Sequence, residues 1–216
     1  MLLDMPRRSS RYERAPSLEC PWSRMWPWEH AAVGYLLYSL WCRMVYREPP
    51  SDLPVAAVVI GSQLPDLIDK PLSWGLGVFQ TGYALGHSAL VTVPVGLAVG
   101  IGSIRTAHHR TVTALLIGYW SHLVGDVVNP LRSGGTVRFD TVLWPVVVGP
   151  PYEQDLGLAR GLVYVTDLFD SLQTADSLSL VGAYLLVPGI TIVVWIADGM
   201  PGMTVFNWIS DRFGPE

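Results

Sequence analysis

The sequence predicts an all-α protein: a multi-pass membrane bundle of about four to five helices, with metal ligands gathered at one end. Three observations predict it. Half of the 216 residues are hydrophobic and 15% are charged, against about 25% in ordinary soluble domains, so much of the surface is not built for water. Long apolar runs recur along the chain. The histidines and several aspartates fall at those ends of the runs that a folded-back chain brings together. The net charge of −4 gives no electrostatic basis for nucleic-acid binding, and membrane lipid is the expected partner.

Residues 1–27 are polar, arginine-bearing and punctuated by proline, and read as a flexible tail before a membrane-embedded domain over 28–216. The first 30 residues carry five arginines and lack the pattern of a cleaved signal peptide. The tail ends in Trp22, Trp26 and Trp28, a cluster suited to the bilayer interface. The two cysteines, Cys20 and Cys42, read as unpaired thiols rather than a metal-binding pair.

The first apolar run, 30–46, is short for a span and carries Arg43 near its end. Residues 47–52, REPPSD, are a turn in which two prolines stop one helix and Ser51 or Asp52 caps the next. The run 53–64 is too short to cross a bilayer and reads as re-entrant or buried in the bundle. Residues 65–84 read as a loop rich in Gly, Pro and Trp. The runs 85–104, 111–128 and 179–197 are each long enough to span. The stretch 129–178 is mixed, with turns at 133–135 and 149–151. Arginines lie at both ends of the runs, so the positive-inside rule assigns no orientation.

An up-and-down path through these runs gathers the polar residues. His30 opens the first helix, Asp66 lies just past the second, and His87 opens the third at the same end. From a turn centred near position 108, His87 is about 21 residues back and Asp126 about 18 forward, or roughly 31 and 27 Å of helix. His122 and Asp126 are four residues apart and share a helix face. His30, Asp66, His87, His122 and Asp126 therefore converge, and Asp69 is placed to orient a ligand imidazole. Imidazole and carboxylate without thiolate suit a divalent ion, zinc foremost, with manganese or iron able to use the same groups. Such an ion can lower the pKa of a bound water and polarise a carbonyl or phosphoryl oxygen, which is the chemistry of hydrolysis. Glu153 and Asp155 are weaker acid–base candidates, and His108 and His109 read as a solvated opposite turn. The residues alone also allow a non-catalytic protein with a structural His/Asp cluster, or a transport subunit using the cluster as an ion or proton relay.

The segments WEHAAVGY (28–35), GSQLPDLID (61–69), GHSAL (86–90), GYWSHLVGDVV (118–128) and VLWPVV (142–147) together resemble the membrane-bound metal-dependent hydrolases, also called LexA-binding inner-membrane-associated hydrolases. That family in turn is similar to the zinc-dependent phospholipase C group. The resemblance implies Asp66, His87, His122 and Asp126 around one metal, with His30 joining Asp126 at a second. It implies a phosphoester substrate of a lipid or lipid-linked kind, in a cell-membrane enzyme. The chain departs from the phospholipases in having no histidine after His122, and from the usual His-Arg before the His-Ser pair in reading QTGYALG over 80–86.

Overall fold

The structure, a computed structural model, describes residues 25–152, 154–174 and 181–204. Cys20, Trp22 and Glu153 lie outside the described residues, as does the start of the 179–197 run. Among the described residues the regular elements are all helical.

Helix α1 (Pro27–Trp41) starts on a proline, whose missing N–H costs nothing in a first turn. The Trp26 N–H donates to Glu29 Oε2 at 2.9 Å, satisfying a donor at the helix start. A π turn, Cys42–Tyr46, extends the helix to Arg47, which ends it at φ 60°. Helix α2 (Asp52–Gly61) follows, and its capping differs from expectation. Ser51 contributes no side-chain cap, and the Asp52 carboxylate instead accepts from the Gly202 N–H and the Thr204 hydroxyl.

The expected loop at 65–84 is helical over its first half. Helix α3 spans Leu64–Lys70 and runs into a π turn at Pro71–Gly75. Pro65 stands in the first turn, where proline starts a helix rather than breaking one. Helix α4 (Ala89–Ser103) and helix α5 (His109–Val128) form the next hairpin. Helix α6 (Ala159–Thr174) lies within the stretch read as mixed. Helix α7 (Leu186–Ala197) follows a π turn at 181–185.

Among the described residues, one helix is long and apolar enough to cross a membrane: the 25-residue stretch His109–Ser133. Helices α4 and α7 are apolar but shorter, at 15 and 12 residues. The runs at 85–104 and 179–197 give up residues to the turn around His87 and to the π turn.

Helix α5 is the centre, packed against α1, α2 and α4. Its contact with α2 is close because both sides are glycine. A Cβ on Gly118 would overlap the Val58 carbonyl, and one on Gly61 would overlap the Leu115 carbonyl. Small residues let two helix backbones approach in this way. Tyr38, Cys42, Ala57, Val58 and Ala114 form the buried core beside this crossing. Helix α7 runs alongside α1: the Thr191 hydroxyl reaches the Ala32 carbonyl at 3.4 Å, and Asp198 accepts from Tyr35 and Ser39 at 2.8 and 2.6 Å and pairs with Arg43. The far end is tied by Arg110 to Glu48 at 2.9 Å, beside the exposed His108 and His109.

Candidate metal centre

The near end holds the cluster. His30 sits in the first turn of α1, Asp66 in the first turn of α3, His87 just before α4, and His122 and Asp126 late in α5. The five residues named from the sequence are brought together. His30, His87 and His122 are buried at 2%, 0% and 0% exposure.

His87 Nε2 lies 3.3 Å from His122 Nε2. Asp126 Oδ2 is 3.4 Å from each of them. Asp66 Oδ1 is 3.5 Å from His87 Nε2 and 3.8 Å from His122 Nε2. Ligands at 2.0–2.1 Å from a tetrahedral zinc ion are separated by about 3.3–3.4 Å along each edge. Five inter-ligand separations therefore lie on or slightly above the edges of that tetrahedron.

The outer nitrogens strengthen the case. His87 Nδ1 is 2.8 Å from Asp69 Oδ2, and His122 Nδ1 is 2.6 Å from the Ser62 carbonyl. Each acceptor can only receive, so each Nδ1 carries a proton. The Nε2 lone pairs of the two neutral rings then face one another at 3.3 Å. That is unfavourable unless a cation stands between them, either a proton or a metal ion. An outer N–H on a carboxylate or carbonyl is also the usual bracing of a metal-bound histidine. The residues fit a divalent ion on both counts.

Local folding explains the bracing. The glycine crossing of α2 and α5 presses the Ser62 carbonyl onto His122, one turn beyond Gly118. Asp69, fully buried, accepts from the N–H groups of Ala84, Gly86 and His87 at 2.8, 2.8 and 3.0 Å, as well as from the His87 ring. One carboxylate thus shapes the turn that carries His87 and orients its imidazole. Tyr119 donates to the Gly86 carbonyl. The VLWPVV segment closes the other side: the Ala89 N–H donates to the Val142 carbonyl at 2.9 Å, and the Ser88 hydroxyl to the Trp144 carbonyl.

His30 is held differently. Its ring stacks on His122 at 3.8 Å between centroids, and its Nε2 is 3.4 Å from Asp126 Oδ1, the oxygen turned away from His87 and His122. Its buried Nδ1 has no hydrogen-bond partner among the described residues. Two triads of ligand atoms within 4.8 Å of one another therefore share His122: one with Asp66 and His87, one with His30 and Asp126. Beside His30, the buried Glu29 takes Arg132 at 2.9 Å.

Sequence reasoning missed Lys70, which pairs with Asp66 four residues earlier on α3. The i, i+4 spacing was the available signal, hidden because 65–84 read as a loop. Burial pushes the Asp66 and Asp69 carboxyls up, yet both are held below the usual range. His87 does so for both, with Lys70 adding for Asp66 and backbone N–H groups for Asp69. Burial pushes the His87 imidazole down, but Asp126, Asp66 and Asp69 outweigh it and hold it well above its ordinary value.

Fold and site together define a protein whose described regular elements are all helical, with a His/Asp cluster that could hold a metal ion at one end of its central helix. The chain belongs to the YdjM inner membrane protein family, whose family model matches residues 25–199. The match takes in all five clustered residues and Asp69. No curated protein and no solved structure matches the chain.

Proposed function

We propose that the chain is an integral-membrane, multi-pass, metal-dependent hydrolase acting on a phosphoester of a lipid or lipid-linked molecule. The single observation that carries the metal is the facing pair of Nε2 atoms, 3.3 Å apart with both outer nitrogens committed. His87, His122, Asp126 and Asp66 would hold the ion, zinc by the chemistry of the donor set, with His30 as a fifth group at the far oxygen of Asp126. A divalent ion held there lowers the pKa of water and polarises a phosphoryl oxygen. Asp69 and the Ser62 carbonyl keep both imidazoles in the tautomer that offers Nε2. Lys70 takes the outer oxygen of Asp66 and sets its inner one toward the cluster.

The family supplies the membrane, and the surface supports more than one crossing. Val95, Leu97, Val99 and Ile101 on α4, and Ile190, Ile192, Val193 and Ile196 on α7, are all exposed. So many exposed apolar side chains suit lipid rather than water. Purified in detergent, the parent protein should carry metal, and His122→Ala and Asp126→Ala should lose it. A metal-free parent, or variants that keep the parent's content, would overturn the site. Turnover of phospholipid by the parent and not by the variants would then establish hydrolysis.

A further inference from the structure

Next to the cluster lies a groove that the metal site does not use. It measures about 180 Å³ and is lined in part by Trp74, Gln80, Tyr152, Gln154, Asp155 and Arg160. That is small beside the several hundred Å³ of a drug-sized pocket, so it suits a small group. Lys70 links it to the metal site: its ammonium pairs with Asp66 and lies 5.6 Å from the centre of the Trp74 ring.

The groove carries a cation fixed in place. The Tyr152 hydroxyl accepts from the Gly82 N–H at 2.9 Å and from Trp74 Nε1 at 3.1 Å, which pins the phenol ring. The Arg160 guanidinium stacks on that ring at 3.7 Å and donates to the Gln154 carbonyl. A stacked guanidinium offers its remaining donors in one plane, the arrangement that recognises phosphate oxygens. The amides of Gln80 and Gln154 and the carboxylate of Asp155, which accepts from Gly157 at 3.1 Å, are suited to hydroxyl groups. Leu158, just before α6, and Leu162, in its first turn, are each 68% exposed.

We propose that this groove is a binding subsite for an anionic polyol, of the glycerol-phosphate type, with Arg160 on the phosphate and the amide and carboxylate groups on the hydroxyls. The chemistry is shared by a lipid head group and by a free polyol phosphate. The idea that it holds the head of the substrate rests on the hydrolase reading; the binding itself does not.

The test uses the full chain in detergent and sn-glycerol 1-phosphate as the probe, titrated calorimetrically with zinc and again after chelation. Arg160→Gln should weaken binding by about tenfold or more, the size of one charge-assisted hydrogen bond, and Trp74→Leu should weaken it by unpinning Tyr152. Metal content should stay at the parent's value in Arg160→Gln. No binding by the parent under either condition, or variants that bind as the parent does, would overturn the subsite. Failure of the metal reading shows separately as a metal-free parent, while the chelated titration still decides the groove. Phosphatidylglycerol nanodiscs that compete with the probe, where phosphatidylcholine nanodiscs do not, identify a lipid source; absence of competition with binding intact identifies a free ligand.

Discussion

Asp69→Asn separates the role of Asp69 from that of the ligands. The carboxylate receives four donors: Oδ2 takes the Ala84 and His87 N–H groups and His87 Nδ1, and Oδ1 takes the Gly86 N–H. Asparagine keeps one oxygen. If that oxygen stays on the His87 side, the new amide N–H₂ faces the Gly86 N–H, and a buried donor is left unpaired at a cost of about 1–3 kcal/mol. If the amide flips, His87 Nδ1 faces a donor and its proton must move to Nε2, where the metal binds. Either outcome weakens the bracing of His87. Loss of such an outer partner lowers metal affinity by about 10–100-fold, equivalent to about 1.4–2.8 kcal/mol. The assay is competition for zinc against a chromophoric chelator in detergent, with helical content followed by circular dichroism. A folded Asp69→Asn that binds zinc within about twofold of the parent would refute the reasoning, because the His87 tautomer would then not depend on Asp69.

The remaining predictions address pH, packing and the far end. His87 is raised on folding, so its contribution to the metal-free protein is complete below the unfolded value of about 6.5 and lost as pH rises through the folded value. Thermal melts in chelator should show stability falling from neutral to alkaline pH, and His87→Asn should flatten that slope; a melting temperature that climbs with pH would be the wrong sign. Zinc affinity should rise over the same range, with proton release on binding measurable in buffers of different ionisation enthalpy. Gly118→Ala forces a methyl group into the Val58 carbonyl and should destabilise by about 1–3 kcal/mol, with zinc affinity falling because the Ser62 carbonyl moves off His122. Asp198→Ala strands the Tyr35 and Ser39 hydroxyls and should cost about 1–3 kcal/mol in denaturant unfolding; because it lies at the far end, metal content should be unchanged.

The helical class was legible because composition and long apolar runs survive any local error. The cluster was legible because hairpin arithmetic depends only on helix rise and turn position. His87 and Asp126, counted back and forward from one turn, do arrive together: the structure has them 3.4 Å apart. What the sequence hid depends on contacts between elements. The run of 85–104 put His87 at the opening of the third helix; the turn around it is tied by Asp69 and by VLWPVV, and the helix begins two residues later, at Ala89. Pro65 disguised α3, and with it the Lys70–Asp66 pair. Helix α6 went unread because its apolar residues alternate with Asp167 and Asp170 in a stretch crowded with turn signals.

The bracing groups explain why ligands are easier to read than the atoms that tune them. A ligand must be one of a few side chains, so His122 and Asp126 announce themselves by type and spacing. The Ser62 carbonyl that fixes the His122 tautomer is backbone, and any residue at position 62 would offer it. Its reach is set instead by Gly61 and Gly118, which let α2 and α5 approach until Ser62 O and His122 Nδ1 are 2.6 Å apart. The sequence signature of that bond is therefore two glycines, one next to Ser62 and one a turn before His122. A bulky residue at either glycine would leave every ligand in place by type and still spoil the geometry that makes them a site.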